Sequence, residues 1–234
     1  MKSSSLYLGT WLSIGSPVVA ELAALSGFDW VLFDLEHGCE AEASLPNQLR
    51  AIQGTKTKGI VRVAGPFPDQ IARVLDWGAD GIMVPRVESA EAAEIIVKAA
   101  FHAPRGRRGF SSTVRATGYG LQDHPDAPLV MAQIETRIGV AQSAAIAAVD
   151  GIDVLFVGPS DLRHDLANGD GKPAPDYDDC LKKIISSAQS AGKETGILLR
   201  DPAALDDHRK KGFTHIAIDS DLAILRKAYQ TILG

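Results

Sequence analysis

The chain has few cysteines, no long apolar run and no excess of positive charge, and each absence excludes a class of protein. Two cysteines, Cys39 and Cys180, do not make the disulfide framework of a small secreted domain. No apolar run approaches the roughly 18 to 20 residues of a membrane span. Acidic residues (29) outnumber basic residues (24), so the net charge of -5 argues against nucleic acid or an anionic membrane as the main partner. The N-terminus lacks the apolar core of a signal peptide, and we expect a cytoplasmic protein.

Short apolar stretches alternate with amphipathic ones along the whole chain. Strands are predicted at about 6–11, 29–34, 59–64, 80–84, 129–134, 152–157, 195–199 and 214–218, and helices at 17–25, 69–77, 89–100, 177–191 and 221–233. Such alternation means parallel strands joined by crossovers. Eight units in 234 residues predict one (β/α)8 TIM barrel domain spanning 1–234. A doubly wound sheet is the alternative, but no Gly-x-Gly-x-x-Gly turn follows the first strand.

Polar residues follow nearly every predicted strand at the same end, which is where a barrel carries its active site. They are Asp34, Glu36 and His37, then Arg62, Arg86, Gln133, Glu135, Ser160, Asp161, Arg200 and Asp219. The repeated pattern is more informative than any single residue.

Glu135 and Asp161 follow adjacent strands, and two carboxylates at one barrel mouth repel unless a cation lies between them. A divalent metal would relieve the repulsion, and two carboxylates plus waters suit magnesium or manganese. The alternative is that each carboxylate pairs with an arginine.

His37 is the candidate base, although a packed loop histidine is the plainer interpretation. Asp34 lies three residues earlier, within reach to orient and charge-stabilise the imidazole. We expect Glu36 to point away from the substrate or to hold the loop. Arg62 lies in an apolar strand and needs an anionic partner, such as a bound carboxylate or a developing enolate. The turn 158–161 can offer backbone N–H groups to an anion.

These groups suit proton removal or aldol cleavage beside a carbonyl. A Schiff-base route would need a lysine inside the barrel, and no lysine lies on a predicted strand, so the metal route is favoured. The stretch 102–128 is rich in glycine, proline and arginine. It predicts a long loop that is a solvated excursion, an anion-binding lid or a subunit contact.

Seven motifs occur in order between about residue 6 and residue 230: FDLEHG, VRV, GIMVPRVES, RRGFSSTVRA, QIET with GV, GIDVLFVGPSDL and HIAIDSDLAILRKA. With them the chain resembles the HpcH/HpaI class II pyruvate aldolases, which include 4-hydroxy-2-oxoheptanedioate and 2-dehydro-3-deoxygalactarate aldolases. The resemblance implies a metal-dependent enzyme using Mg²⁺, Mn²⁺ or Co²⁺. It implies cleavage of a 4-hydroxy-2-oxo acid to pyruvate, or a related 2-oxo acid, and an aldehyde, through a metal-stabilised enolate.

The resemblance also implies a role for individual residues. Glu135 and Asp161 match metal-binding carboxylates, and Arg62 matches an arginine that contacts the pyruvate oxygen. His37 matches a histidine that relays protons through water, with Asp34 as its partner. The remaining matches are Gln133, which lines the pyruvate pocket, Gly158, Pro159 and Ser160, which receive the pyruvate carboxylate, and Asp76, an acidic position that reaches a neighbouring subunit's site.

The family assembles as hexamers, trimers of dimers that exchange the last helix, and the helix at 221–233 could do so here. Arg200 and the loop 105–120 depart from the family pattern and leave the aldehyde open. Two alternative functions remain: an acyl-CoA lyase related to citrate lyase beta chains, and a non-catalytic ligand-binding barrel.

Overall fold

Eight parallel strands form a closed barrel in the computed structural model, which describes residues 6–39, 41–125, 127–168 and 175–234. The N-terminal residues 1–5 lie outside the described residues. The strands are β1 Tyr7–Leu12, β2 Trp30–Asp34, β3 Lys58–Arg62, β4 Gly81–Val84, β5 Leu129–Ile134, β6 Val154–Val157, β7 Glu194–Leu199 and β8 His215–Ser220. Each strand pairs with the next and β8 pairs with β1, so the (β/α)8 prediction is confirmed.

Helices cover the outside of the barrel. They are α1 Pro17–Leu25, α2 Leu45–Ala51, α3 Pro68–Asp76, α4 Ala90–Ala100, α5 Arg137–Ala147, α6 Pro159–Asn168, α7 Tyr177–Ser190, α8 Leu205–Lys211 and α9 Asp221–Leu233. The five predicted helices agree to within one residue at each end. Serine hydroxyls cap three of them, since Ser16 accepts from Val19 N, Ser89 from Ala92 N and Ser220 from Ala223 N.

The barrel interior is a packed core rather than a channel. Of the described residues, nine with buried side chains fill it: Trp11, Trp30, Leu32, Ile60, Met83, Met131, Val154, Phe156 and Ala217. A second and larger apolar cluster lies between the strands and the helices. A Cβ at Gly9 would overlap the Trp30 indole, so glycine at position 9 leaves the space that the ring occupies. With the interior filled, the chemistry is confined to the mouth.

One prediction about the strands is wrong, because Lys58 is the first residue of β3. It lies at the N-terminal end of the barrel, however, where its exposed Nζ is 2.8 Å from Asp80 Oδ1. It therefore supplies no amine to the catalytic end. Among the residues described, no helix is long and apolar enough to cross a bilayer.

Candidate active site

The C-terminal ends of β2 to β6 bring the predicted site residues to one mouth of the barrel. Asp34 and Arg62 are opposed in the β2–β3 register, and Gln133 pairs with Phe156 in the β5–β6 register. The loop that follows β2 carries Glu36 and His37, and α6 begins directly after β6. A parallel barrel therefore places residues that are far apart in the chain around one opening.

A buried ion pair joins the ends of β2 and β3. Arg62 donates from Nε to Asp34 Oδ1 at 2.9 Å and from Nη2 to Oδ2 at 2.7 Å. The guanidinium carbon lies 5.2 Å from the centre of the Trp11 ring. Burial acts to raise the pKa of Asp34, but the hydrogen bonds and charge of Arg62 outweigh it, so the pKa lies below its usual value. The anionic partner that Arg62 needs is thus supplied in part by the protein itself.

Asp34 does not hold the His37 imidazole, contrary to the interpretation of the sequence. Asp34 Oδ1 accepts the backbone N–H groups of Glu36 and His37, each at 3.1 Å, and Arg62 occupies the rest of the carboxylate. The His37 side chain is 67% exposed, and its Nε2 lies 3.8 Å from Glu36 Oε1. Asp34 therefore shapes the loop that carries His37. The carboxylate beside the His37 imidazole is that of Glu36.

Glu36 points into the site, and the expectation that it points away is wrong. Its Oε2 lies 2.9 Å from Arg62 Nη1, so Arg62 is shared between two carboxylates. Burial raises the pKa of Glu36; Arg62 and His37 oppose this effect, while the charges of Asp34 and Asp161 add to it. The sequence does not indicate which of the two loop residues, Glu36 or His37, faces the site, because a loop has no side-chain periodicity.

Glu135 has one carboxylate oxygen engaged and one without a partner. Its Oε1 accepts the Arg86 backbone N–H at 2.9 Å, and Arg86 has a φ of 51°. Such a φ is costly for a residue other than glycine and is typical of functional sites. Its Oε2 is buried and has no hydrogen-bond partner among the residues that the structure describes. Burial, with the nearby charges of Asp161 and Glu36, raises the pKa of Glu135 to about 8.

Gly158 closes over this carboxylate. A Cβ at position 158 would overlap Glu135 Oε2 and would lie 2.7 Å from Gln133 Nε2. Gln133 is buried, and its Oε1 also lacks a hydrogen-bond partner within the described part of the chain. Glycine is therefore required for the turn to approach the carboxylate. The same turn begins α6, whose first N–H groups face outward from the helix start.

These residues fit a divalent cation. In the parts of the chain that the structure describes, no lysine or arginine forms an ion pair with Glu135 or Asp161, so the arginine-pairing alternative is not found. No group of three or more histidine, cysteine or acidic side chains is arranged to hold a metal in those parts either. Two carboxylates, one of them with a bare buried oxygen and a raised pKa, match a hard cation that keeps open positions for water and substrate.

The described parts of the loop, 102–125 and 127–128, lie at the opposite end of the barrel, because the loop connects α4 to the start of β5. It is no lid over the site of its own chain. Its Arg108 donates from Nη2 to Asp76 Oδ1 at 2.6 Å, and Arg115 Nη1 donates to Trp77 O at 2.6 Å. Asp76 is thus also at that end, tied to the loop.

Comparison with known proteins gives one consistent result. The family model HpcH/HpaI aldolase/citrate lyase matches residues 7–228. The chain is 37% identical to the 2-dehydro-3,6-dideoxy-6-sulfogluconate aldolase of Pseudomonas putida, over 100% of this chain and 93% of that protein. It is 36% identical to the hydroxypyruvate/pyruvate aldolase of Paraburkholderia phytofirmans, over 100% and 94%. A solved HpcH/HpaI family protein from Burkholderia cenocepacia superposes with a TM-score of 0.90 at 33% identity, covering 98% of this chain and 94% of that one.

Proposed function

Because the chain belongs to the HpcH/HpaI aldolase/citrate lyase family and is an aldolase, a carbon–carbon lyase, we propose that it cleaves a 4-hydroxy-2-oxo acid to pyruvate or a close 2-oxo acid and an aldehyde. The observation that carries this proposal is the buried Glu135 Oε2, which has no partner among the described residues and lies near the charges of Asp161 and Arg62. The aldolase names of the relatives speak against the alternative of a non-catalytic barrel. They also favour an aldolase over an acyl-CoA lyase.

Glu135 and Asp161 are the residues that would hold the divalent metal, Mg²⁺, Mn²⁺ or Co²⁺. When bound, a divalent cation supplies Lewis-acid polarisation of the 2-oxo group. Burial and the nearby charges of Asp161 and Glu36 raise the pKa of Glu135, and a bound cation would offset both effects.

Arg62 faces the developing oxyanion. In retro-aldol cleavage the C3–C4 bond breaks and its electron pair passes to the 2-oxo oxygen, which gains negative charge. The Arg62 guanidinium is fixed by Asp34 and Glu36 and by the Trp11 ring, so it meets that charge without reorganising. Gln133 and the 158–160 turn line the pocket, where amide and backbone N–H groups receive the 2-oxo acid carboxylate.

His37 takes the proton from the 4-hydroxyl group, directly or through one water. Its imidazole is exposed at the mouth and close to Glu36. A neutral imidazole is a suitable proton acceptor for a hydroxyl group. Asp34 is a positioning residue, since it fixes the loop that presents His37.

The enzyme acts as a cytoplasmic homo-oligomer, a hexamer built as a trimer of dimers. Exposed apolar side chains on two helices support an association surface: Val18, Leu22 and Leu25 on α1 are 65% to 72% exposed, and Ile232 and Leu233 on α9 are 79% and 86% exposed. Contact of the end of α9 with a second subunit would cover the second group. Size-exclusion chromatography with light scattering measures the assembly.

The test of the proposed function is product analysis. Purified enzyme with added Mg²⁺, Mn²⁺ or Co²⁺ is incubated with a panel of 4-hydroxy-2-oxo acids, and pyruvate and the aldehyde are quantified together by NMR. Equal amounts of the two products are expected. Release of neither product from any member of the panel would contradict the proposal.

A further inference from the structure

A group of charged side chains at the mouth takes no part in the chemistry described above. Arg200 follows β7, Asp219 lies near the end of β8, and Lys227 lies two turns into α9. We call these three residues the β7–β8 charge cluster. Arg200 Nη1 donates to Asp219 Oδ1 at 3.1 Å, and Lys227 Nζ donates to Asp219 Oδ2 at 2.7 Å.

The cluster is built around a buried and strained carboxylate. The Asp219 side chain is 5% exposed, and its φ of 54° is unfavourable for a residue other than glycine. Its Oδ1 also accepts the Ser220 N–H at 3.0 Å, and Lys227 Nζ donates further to the Arg200 carbonyl at 3.1 Å. Both cationic head groups are therefore held in fixed positions by one buried anion.

The cluster presents more positive than negative charge to the solvent. Arg200 and Lys227 are 57% and 52% exposed, while Asp219 is buried. Among the described residues, the neighbouring Asp221 forms no ion pair with either cation, and its carboxylate is directed to the backbone N–H groups of Ser13 and Ile14. Half-exposed ion pairs add only about 0 to 1 kcal/mol of stability. A gain of this size does not account for the strained backbone at Asp219.

The cluster lies at the same end of the barrel as the Glu135 site. The register pairs Val157 of β6 with Ile197 of β7, and Leu199 of β7 with Ile218 of β8. The turn 158–161 and Arg200 thus extend the same edge. Since neighbouring strands are about 4.8 Å apart, β8 lies roughly 10 Å from β6 across the mouth. A substrate held at the turn by its 2-oxo acid end could reach the cluster with its other end.

We propose that the β7–β8 charge cluster binds a terminal anionic group on the aldehyde half of the substrate, which can be a carboxylate, a sulfonate or a phosphate. The inference rests on the proposed function, whose 2-oxo acid end is bound elsewhere in the site. An arginine fork and a lysine point charge are the usual pair for such oxyanions. Arg200 and Lys227 are then specificity-determining residues that do not touch the bond being broken.

The test uses the aldol direction with pyruvate and matched aldehydes: glyceraldehyde 3-phosphate against glyceraldehyde, succinic semialdehyde against butanal, and sulfoacetaldehyde against acetaldehyde. The measured quantity is kcat/KM for the anionic aldehyde divided by that for its neutral partner. Arg200→Gln and Lys227→Gln should each lower this ratio about 10- to 100-fold for the preferred anion, mainly through KM. Arg200→Lys should restore part of it. The control, Arg226→Gln, removes the same charge from an exposed neighbour of Lys227 and should leave the ratio unchanged.

The three aldehyde pairs distinguish the carboxylate, the sulfonate and the phosphate. Ratios in Arg200→Gln and Lys227→Gln that match wild type for all three pairs overturn the proposal, as does an equal fall in Arg226→Gln. If wild type turns over no aldehyde at all, the proposed function has failed, and titration calorimetry with 2-phosphoglycolate, sulfoacetate and succinate then decides on the cluster. Binding that Arg200→Gln weakens supports it, and absence of binding to wild type overturns it.

Discussion

Replacing Asp34 by Asn tests whether the buried Asp34–Arg62 pair organises the mouth of the barrel. The amide has nearly the same size and can still accept from Arg62 Nε through its oxygen. Its NH2 group, however, would take the place of Oδ2, which now accepts from Arg62 Nη2 at 2.7 Å. Two donors would face each other, and Arg62 would lose its bidentate counterion.

The magnitude follows from the burial of both partners. The side chains of Arg62 and Asp34 are 8% and 3% exposed, so solvent cannot replace the lost partner. Removing one member of such a pair costs about 3 to 5 kcal/mol. For a domain of this size, about 3 kcal/mol corresponds to a melting temperature lower by roughly 6 to 12 °C. Glu36 remains near Arg62 and moves the expectation to the lower end of this range.

The assay is thermal and urea unfolding of Asp34→Asn beside a matched control. Glu94→Gln removes a carboxylate from the Lys98–Glu94 pair, whose side chains are 50% and 54% exposed, and should cost less than about 1 kcal/mol. A loss in Asp34→Asn no larger than in Glu94→Gln would refute the reasoning, because the pair would then contribute nothing beyond a surface contact.

Two further predictions concern the Glu135 turn and the barrel core. Gly158→Ala should lower kcat/KM about 100-fold, because the added Cβ would displace the Glu135 carboxylate. The control, Gly109→Ala, adds a Cβ in open space and should leave kcat/KM unchanged. Burial lowers the pKa of His215 to about 4 from 6.5, even with Glu194 Oε2 at 3.2 Å from its Nδ1. Between pH 4 and 6.5 this histidine therefore binds more protons in the unfolded chain than in the folded chain. As the pH falls through this range, the free energy of unfolding should decrease by up to about 3 kcal/mol because of His215. In urea unfolding across this pH range, the free energy of unfolding should fall less in His215→Gln than in wild type. An equal fall in both proteins would contradict the prediction.

The fold could be predicted because apolar strands and amphipathic helices alternate so regularly. The helices that sequence reasoning missed have weak periodicity. Leu205–Lys211, for example, has no fully buried residue, and only its first residue is apolar, so it shows no amphipathic repeat. Arg137–Ala147 is dominated by small side chains and buries only part of one face. Their existence is set by the barrel's need for a crossover between parallel strands.

The candidate site was predictable as a set of strand ends but not as a set of contacts. Barrel topology alone brings Asp34, Arg62 and Glu135 to one mouth. Which carboxylate faces Arg62, and whether Asp34 reaches the imidazole or the backbone of His37, depends on the loop conformation after β2. The loop geometry arises from contacts among residues 34–37 and 62, which no periodicity encodes.

The central claim is that Glu135 and Asp161 hold a divalent metal on which carbon–carbon cleavage depends. The direct measurement is pyruvate release by wild type and Glu135→Gln after EDTA treatment and dialysis, with Mg²⁺, Mn²⁺ or Co²⁺ added back, alongside calorimetric titration of the metal. Wild type should lose activity on chelation and regain it with metal. Glu135→Gln should bind metal at least about 10-fold more weakly and stay inactive. Full activity of chelated wild type, or of Glu135→Gln, would contradict the claim.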